Sequence, residues 1–417
     1  MSHRPVVAAA TLLALGTLAA CAAEGPDGGG TTATTSTPPP TTSSSTTSTA
    51  GPTAGPTASP TASPTSTATP STGCGQRLLA SLSLEQRVGQ LVMVGAQYGT
   101  SVAALDPVLR DQHVGGIVLL GTWDGAPAVS AATAHWRPVG SAAAGGVGLL
   151  VAADQEGGQV RHLRGSGFTA TPSALSQGRA GTAGLTATTV AGELKAVGVN
   201  VDLAPVADTV AASFAPRNAP IGAYQREYGS DPAAVTRAVV AAVGGYQNGG
   251  VSATLKHFPG LGRVTGNTDL TPNGTTDATT TADDAYLEPF RAGIRAGADL
   301  VMVSSALYPK LDPANRAAFS RPVVTGLLRE KLGYDGVVIS DDLGGALAVA
   351  TVPTADRATR FVEAGGDIVL TGIPLTVPTM VGALRDRAKA DPAFAAQVDA
   401  AARRVLELKV RRGLAAC

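Results

Sequence analysis

The sequence predicts an α/β fold, a (β/α)8 TIM barrel that follows a signal peptide and a disordered linker. Two observations favour this fold. Short apolar runs alternate with amphipathic segments between residues 74 and 417, as expected of parallel strands that helices cover on both faces. Polar residues follow several of these runs, and the functional residues of such barrels collect at the carboxyl ends of the strands.

Eight runs are predicted to be strands, and helical patterns lie between most of them. The strands are Val88–Val94, Gly116–Leu120, Gly148–Ala153, Val199–Ala204, Ser252–His257, Leu300–Ser304, Gly336–Ser340 and Asp367–Thr371. The helices are Leu185–Ala196, Pro232–Gln247, Asp283–Ala296, Arg321–Leu332, Asp356–Ala364 and Val377–Ala390. A doubly wound open sheet is the alternative. Its G-x-G-x-x-G turn does not follow the first strand, and Gly260-Leu261-Gly262 has only part of that spacing.

The first 20 residues are predicted to be a lipoprotein signal peptide. The apolar run Val6–Ala20 is too short for a comfortable membrane span. It ends in Leu18-Ala19-Ala20-Cys21, which resembles a bacterial lipobox. In that signal the peptide is cleaved before the cysteine, and the cysteine thiol is then lipidated. We therefore expect an exported protein, lipid-anchored through Cys21 to the outer face of the cell membrane. An ordinary small-residue cleavage site beside an unrelated cysteine is the alternative.

Residues 21–73 are predicted to be a disordered linker, and residues 74–417 the folded domain. The linker consists almost entirely of Thr, Ser, Pro, Gly and Ala without an apolar period, so it cannot bury a core. A flexible chain of about 50 residues spans roughly 40 Å root-mean-square. The linker would thus act as a spacer between the membrane and the domain.

The amino-acid composition limits which partners and which kinds of site we expect for this protein. Lys+Arg and Asp+Glu both number 31, and this neutral balance disfavours nucleic acid as a partner. The three cysteines show no zinc-binding spacing. Outside the cytoplasm Cys74 and Cys417 could form a disulfide, although two free thiols remain the alternative. We expect a monomer.

The polar residues at strand ends form four clusters that suit chemistry on a saccharide. The carboxylates are Asp154, Glu156, Asp202, Asp341 and Asp342, and the cations are Arg226, Lys256 and His257. Two carboxyl groups flanking a bond are the usual arrangement for glycoside hydrolysis. Metal-dependent hydrolysis is a rival, but it usually needs several strand-end histidines and only His257 follows a strand. A metal cofactor is therefore not expected. Asp342 has a structural alternative, since such residues often cap the next helix.

One loop stands apart from the repeating pattern. Residues 259–280 have neither helical nor strand periodicity, yet they carry Arg263, Asn267, Asp269 and Asp277. Long loops without regular structure inside a compact domain are usually functional or disordered. We interpret this segment as a lid over the site.

Three motifs, in this order, resemble those of glycoside hydrolase family 3. They are Asp154-Gln155-Glu156-Gly157-Gly158, Lys256-His257-Phe258-Pro259-Gly260 and Val338-Ile339-Ser340-Asp341-Asp342-Leu343. Asn200–Val206 and Arg226–Pro232 also resemble family segments. The likeness spans roughly residues 82–408 and is greatest to the single-barrel bacterial β-N-acetylglucosaminidases.

The resemblance implies a role for each matching residue. Asp341 would be the nucleophile that forms a covalent glycosyl-enzyme. Asp154, Arg226, Lys256 and His257 would bind hydroxyls of the terminal sugar. The family enzymes remove terminal β-N-acetylglucosamine, often from peptidoglycan fragments, and use no metal or organic cofactor. The saccharide substrate expected here is therefore an N-acetylglucosamine-containing fragment of the cell wall.

The lid departs from the family pattern. Asn267-Thr268-Asp269 stands where the family has Asp-x-His. Leu261 replaces a further histidine of the family. In the first motif, Gln159 and Arg161 carry the family's amide and basic residues in exchanged positions. In one account Asp269 protonates the leaving group, with Asn267 holding it, because burial can raise the pKa of a carboxylic acid.

In the other account the acid is lost, and the protein is a weak hydrolase or a non-catalytic saccharide-binding lipoprotein. Asp277, Asp283 and Asp284 are reserve candidates for the acid. A β-glucosidase of the same family is the remaining alternative. The larger β-glucosidases carry a second domain after the barrel, so the chain's length favours the glucosaminidase.

Overall fold

The computed structural model describes residues 70–417, with side chains from residue 73 onward. The predicted signal peptide, the lipidation site Cys21 and nearly all of the predicted linker lie outside the described residues, so they stay predictions. The described part begins with the helix Pro70–Ser81. Within residues 70–417, no helix is both long and apolar enough to cross a membrane.

Eight parallel strands form one sheet that curves into a barrel. In chain order they are Val92–Gln97, Gly116–Leu120, Leu150–Ala153, Val201–Asp202, Ser252–Phe258, Leu300–Val303, Val337–Ser340 and Val369–Thr371. Each strand pairs with its neighbours in sequence, and the eighth pairs with the first. A parallel bridge between Ile339 and Ile368, with a backbone hydrogen bond from Ser340 N to Ile368 O of 2.9 Å, joins the seventh strand to the eighth. The predicted TIM barrel is confirmed, and the open doubly wound alternative was wrong.

All eight predicted strands are present; Gly116–Leu120 has the predicted bounds, and the other seven have shifted ends. The first starts at Val92 and not at Val88, because Val88 belongs to the helix Leu84–Gly89. Ser83 and Gln86 begin that helix with a reciprocal capping box. The fourth strand is short: Val201 and Asp202 pair with both neighbouring strands, and the next bridge joins Val206 to Lys256.

Helices surround the barrel, and most connect one strand to the next. The α-helices are Pro70–Ser81, Leu84–Gly89, Asp106–Gln112, Ala126–Ala143, Ala174–Ala180, Ala183–Ala196, Pro232–Gly249, Glu288–Arg295, Thr354–Ala364, Val377–Ala390 and Pro392–Arg411. The predicted helix Arg321–Leu332 is present as the π-helix Pro322–Lys331. The predicted helix Asp283–Ala296 instead begins with the 3-10 turn Ala285–Leu287, where the Asp284 carboxylate accepts from the Tyr286 backbone N–H at 2.9 Å.

Both faces of each strand are buried, which explains the continuous apolar runs. In the sixth strand, Leu300 and Met302 belong to the core inside the barrel, whereas Val301 and Val303 belong to the layer between barrel and helices. Successive residues of a strand point to opposite faces. A strand with solvent on one side would alternate apolar and polar residues, and this one does not.

The last helix closes one end of the barrel. Val405 and Leu408 of Pro392–Arg411 join the apolar core inside the barrel. The fully buried Lys409 donates from Nζ to Gln90 Oε1 at 2.5 Å and to Gly115 O at 2.8 Å, and burial lowers its pKa to about 7. Gln90 and Gly115 precede the first two strands, so this seal lies at the amino-terminal end of the barrel. The opposite end of the barrel, formed by the carboxyl ends of the strands, is the end that can hold a functional site.

A disulfide joins the two ends of the described domain. Cys74 and Cys417 are bonded, with their Cα atoms 5.7 Å apart and a sequence separation of 343. The helices Pro70–Ser81 and Pro392–Arg411 pack against each other, so the bond fastens the first helix beside the helix that seals the barrel. A crosslink over so long a segment limits the freedom of the unfolded chain.

Replacing both cysteines by serine should therefore lower the free energy of unfolding by about 2–4 kcal/mol. Urea denaturation, followed by the fluorescence of the buried residues Trp123 and Trp136, measures the change. Reductant should destabilise the wild type to the same extent and leave the double variant unaffected. Equal stability of wild type and variant would show that the bond does not stabilise the fold.

Candidate active site

A cavity of about 330 Å³ lies at the carboxyl ends of the strands. Six residues predicted from the sequence as catalytic or sugar-binding line it: Asp154, Arg226, Lys256, His257, Asp269 and Asp341. Asp342 also faces the cavity. The strand-end carboxylates Glu156 and Asp202 are buried beside it and are not part of its lining. The volume is at the lower end of the range for small-molecule pockets, which is about 300–1,000 Å³.

A buried cluster of two cations and two carboxylates forms one wall. The Lys256 ammonium lies 2.5 Å from Asp154 Oδ1 and 2.6 Å from Glu156 Oε1. Arg226 holds the same Glu156 through two hydrogen bonds, from Nε to Oε2 at 2.9 Å and from Nη2 to Oε1 at 2.7 Å. Two positive charges thus balance two negative ones, which burial requires.

The charges in this wall keep both carboxyl groups ionised. Burial alone would raise the pKa of Glu156, but Arg226 and Lys256 lower it to about 2. Burial also opposes ionisation of Asp154, and the Lys256 ammonium nevertheless holds the pKa of that carboxyl below its usual value. Asp154 lines the cavity, so it can accept hydrogen bonds from a ligand without first losing a proton.

Asp208 orients His257. Its Oδ2 lies 2.7 Å from His257 Nδ1, and both carboxylate oxygens accept from the His257 backbone N–H at 3.2 Å. The other ring nitrogen, Nε2, lies 3.3 Å from Arg226 Nη2. With the ring proton on Nδ1, the imidazole donates to Asp208 and accepts from Arg226. Asp208 Oδ1 also accepts from the Leu261 backbone N–H at 2.7 Å, which fixes the start of the lid.

Asp341 and Asp342 follow the seventh strand and have different surroundings. The Asp341 backbone N–H donates to Val303 O at 3.0 Å, and its Oδ1 accepts from the Asp342 N–H at 3.0 Å. Burial raises the pKa of Asp341, and His257 offsets part of this effect. Asp342 Oδ1 accepts backbone N–H groups from Gly344 at 2.7 Å and Gly372 at 3.0 Å, so it ties together the loops after the last two strands. Asp342 therefore has a structural role, which is similar to the helix-capping role that the sequence left open.

The lid holds Asp269 against the cavity through its main chain. The Leu347 N–H donates to Asp269 O at 3.2 Å, and the Ala348 N–H donates to Thr268 O at 3.0 Å. Asn267 Oδ1 accepts from the Asp269 backbone N–H at 2.9 Å, so Asn267 holds the backbone of Asp269 and not its carboxyl group. Partial removal from water, together with the negative charges of Asp341 and Asp342, raises the pKa of Asp269, a residue that is still exposed at the edge of the cavity, to about 7.

The other candidate carboxylates, on the lid and just after it, have structural partners. The Asp277 carboxylate accepts from the side chains of Thr279 at 2.7 Å and Thr280 at 2.5 Å. Asp284 pairs with Arg263 at 2.7 Å, and the exposed Asp283 pairs with Lys331 at 2.5 Å. None of these three reserve candidates lines the cavity in the described chain. Among the lid carboxyl groups considered, Asp269 is thus the one that faces the cavity.

The sequence analysis missed two residues at the site, Asp208 and His162. His162 lines the cavity, and its Nδ1 lies 2.9 Å from Leu119 O. The short strands Gln155–Gly157 and Val160–Arg161 fold this loop back, so a residue eight positions beyond Asp154 returns to the wall. Asp208 follows the bridge at Val206, where the interrupted fourth strand resumes. Treating Val206 as a strand end would have exposed Asp208 as a candidate.

A parallel barrel whose strand ends enclose a cavity lined by several carboxyl groups, among them Asp269 and Asp341, is an arrangement that suits a glycoside hydrolase. The chain matches the glycosyl hydrolase family 3 N-terminal domain over residues 83–408. It therefore belongs to glycosyl hydrolase family 3, and the resemblance seen in the three motifs is confirmed.

Relatives in sequence and structure agree with this assignment. The chain is 36% identical over 251 residues to a protein named beta-hexosaminidase from Xanthomonas oryzae pv. oryzae, covering 57% of this chain and 72% of the relative. It is 48% identical to the solved beta-N-acetylhexosaminidase from Beutenbergia cavernae, with a TM-score of 0.77, covering 79% of this chain and 99% of that one. A family 3 beta-N-acetylglucosaminidase from Paenibacillus sp. is 32% identical with a TM-score of 0.71, covering 81% of this chain and 64% of that one.

The buried charge cluster should control stability. Lys256→Met leaves Asp154 and Glu156 without their shared cation and should lower the free energy of unfolding by about 3–5 kcal/mol. Urea denaturation measures the change. Lys389→Met is the matched control, because Lys389 pairs with Glu85 at 3.0 Å on the surface and such pairs contribute about 0–1 kcal/mol. Equal losses in the two variants would contradict a special role for the cluster.

Proposed function

We propose that the protein is a retaining exo-β-N-acetylglucosaminidase that forms a covalent glycosyl-enzyme on Asp341. The observation that carries the proposal is the pair of carboxyl groups, Asp341 and Asp269, on one small cavity. The names of the relatives support N-acetylhexosamine as the sugar removed. A cavity closed at the far end of the barrel supports removal of a single terminal residue.

In the first step the Asp341 carboxylate attacks the anomeric carbon. The new ester bond forms as the bond to the leaving oxygen breaks, and Asp269 donates its proton to that oxygen. In the second step Asp269 accepts a proton from water, whose oxygen attacks the anomeric carbon and releases the Asp341 carboxylate. The sugar thus leaves with its original β configuration.

The electrostatics of the two carboxyl groups suit both steps. The charge on Asp341 is one cause of the raised pKa of Asp269, which keeps Asp269 protonated when it must act as an acid. Forming the ester removes that charge, so Asp269 becomes a stronger acid and then a base of suitable strength for water. One carboxyl group can therefore serve in both directions without the histidine that the family usually has on the lid.

Four further polar side chains of the cavity lining would hold the sugar. Asp154, Arg226, Lys256 and His257 offer one carboxylate, two cations and one imidazole to the cavity, a set that suits the several hydroxyl groups of a hexosamine. Because Lys256 and Arg226 are already fixed by Glu156, they would bind the sugar without first losing side-chain freedom.

We infer that the substrate is an N-acetylglucosamine-containing fragment of the cell wall and that the enzyme acts outside the cell membrane. The lipobox-like ending at Cys21 and the spacer up to residue 73 support this location. The disulfide between Cys74 and Cys417 fits it, because such bonds persist in oxidising compartments.

Turnover of 4-nitrophenyl N-acetyl-β-D-glucosaminide, beside the corresponding β-glucoside, tests the reaction class. The N-acetyl compound should be the better substrate, and Asp341→Ala should lower its turnover to the background rate because the nucleophile is gone. Preference for the glucoside would make the protein a β-glucosidase. Absence of turnover with retained binding of N-acetylglucosamine would make it a saccharide-binding protein.

The rate should fall as the pH rises above about 7, because Asp269 must be protonated to act as an acid and its pKa is raised to about 7. Asp269→Asn should remove this dependence and slow a methyl glycoside about 10²–10⁴-fold. A 2,4-dinitrophenyl glycoside, whose leaving group needs no proton, should lose far less. Steady-state rates from pH 5 to 9 provide the measurement.

Two further variants control this experiment. Asp283→Asn removes an exposed carboxylate that lies just after the lid and outside the cavity, and it should leave the pH profile unchanged. Asn267→Asp combined with Asp269→His installs the family's usual pair and should restore turnover of the methyl glycoside relative to Asp269→Asn. If Asp269→Asn hydrolyses the methyl glycoside at the wild-type rate, Asp269 is not the acid.

A further inference from the structure

A buried amide group joins the lid to the loop after the fourth strand. Asn218 lies in that loop and is completely buried. Its Nδ2 donates to Leu261 O and to Val264 O of the lid, each at 2.8 Å. Its Oδ1 accepts from the backbone N–H of Gly222 at 2.7 Å and from that of Ile221 at 3.2 Å. An amide group has two hydrogens and a carbonyl oxygen with two lone pairs, so these bonds use all of its hydrogen-bonding capacity.

The hydrogen-bond partners of Asn218 require an amide at this position. The lid side presents two carbonyl oxygens, which need donors, and the loop side presents two N–H groups, which need an acceptor. A carboxylate has no hydrogen to donate, and a hydroxyl group has only one. Leu261, Val264 and Ile221 are buried, and a buried backbone group without a partner is costly. Asn218 therefore matches its surroundings in a way that an acid or an alcohol would not.

The loop side of Asn218 leads to Arg226, which is proposed above to bind the sugar. The backbone carbonyl of Asn218 also accepts from the Ala223 N–H at 3.0 Å. The Arg226 N–H donates to Ile221 O at 3.2 Å, and its Nη1 donates to Pro220 O at 2.8 Å. Pro220 and Arg226 both line the cavity. Asn218 thus holds the base of the turn from which the Arg226 guanidinium reaches the cavity.

The lid side of Asn218 leads to Asp269. Leu261 lines the cavity at the start of the lid. Its N–H donates to Asp208 Oδ1 at 2.7 Å, and its carbonyl accepts from Asn218. Val264, which is also bonded to Asn218, precedes the stretch of the lid that carries Asp269. Asn218 and Asp208 both belong to the loop after the fourth strand, so this loop fixes where the lid begins.

We propose that Asn218 is a positioning residue, which sets the lid that carries Asp269 relative to the loop that carries Arg226. The inference rests on the function proposed above. The acid and the sugar-binding cation belong to separate loops, and Asn218 bonds directly to both of these loops. A proton reaches the leaving oxygen only if donor and acceptor are within hydrogen-bond reach, and a misplacement of about 1 Å lowers a rate strongly. Arg226 has a second support in Glu156, so loss of the lid contacts should impair proton donation more than sugar binding.

The ratio of kcat/KM for methyl N-acetyl-β-D-glucosaminide to kcat/KM for the 2,4-dinitrophenyl glycoside of the same sugar tests the proposal. Both substrates place the same sugar in the cavity, but only the methyl glycoside needs a proton from Asp269. Asn218→Asp keeps the acceptor oxygen and supplies at most one hydrogen to the two lid carbonyls, so it should lower the ratio about 10-fold. Asn218→Ala adds no charge near Asp269 and should lower the ratio at least as far. The ratio is measured within one preparation of the full chain, so a misfolded fraction does not alter it.

Asn200→Asp is the matched control, because Asn200 joins two backbone segments in the same way. Its Oδ1 accepts from the Val151 N–H at 2.9 Å, and its Nδ2 donates to Leu149 O at 3.1 Å. Asn200 comes just before the fourth strand, so it lies at the closed end of the barrel, away from the cavity. The substitution should lower the free energy of unfolding and leave the ratio of the two kcat/KM values unchanged.

An unchanged ratio in both Asn218 variants, or an equal fall of kcat/KM for both substrates, would overturn the proposal, because Asn218 would then support only the fold. The proposed function would remain intact. A fall of the ratio in Asn200→Asp as large as in the Asn218 variants would also overturn the proposal. A wild-type protein that hydrolyses neither substrate would overturn the proposed function, and the inference about Asn218 with it.

Discussion

The site depends on the buried ammonium group of Lys256 and the carboxylates on either side of it. Lys256 lies at the end of the fifth strand, and Asp154 and Glu156 follow the third, so their contacts of 2.5 and 2.6 Å span the fourth strand between them. Arg226 adds a second cation from the loop after that strand. Removing any one charge would leave an uncompensated ion in a place with little water. The same balance that makes the cluster costly to disturb holds three polar side chains ready at the cavity wall.

The two ends of the barrel have opposite characters for a physical reason. At one end the last helix fills the opening with Val405 and Leu408 and satisfies Lys409 by hydrogen bonds, so nothing there is left for a ligand. At the other end the loops carry carboxylates, cations and irregular backbone, which stay hydrated or bind polar molecules. A lysine and its acceptors thus support the fold at the closed end, while Lys256 and its partners serve the site at the open end.

The lid shows how one ionisable side chain can stand in the place of another without a change in the architecture. Asp269 occupies the position where the sequence resemblance places a histidine, and the main-chain hydrogen bonds from Leu347 and Ala348 hold that position whatever its side chain is. Partial removal from water and the nearby charges of Asp341 and Asp342 bring the pKa of this carboxyl to about 7, close to that of an ordinary histidine, about 6.5. The environment can therefore give a carboxylic acid the proton affinity that a histidine has by its own chemistry.

The sequence alone determined the barrel, because apolar runs such as Leu300–Ser304 record burial of both strand faces. It also placed Asp154, Lys256, His257 and Asp341 at one face, since residues that end parallel strands meet there. Only the tertiary structure brought Asp208 and His162 to the site and gave Asp277 and Asp284 structural partners. These residues lie in loops. The path of a loop depends on contacts with distant segments, and a loop has no periodic pattern of apolar residues that could be recognised in the sequence. The raised pKa of Asp269 is decided in the same way, because partial removal from water and neighbouring charges are properties of the folded chain.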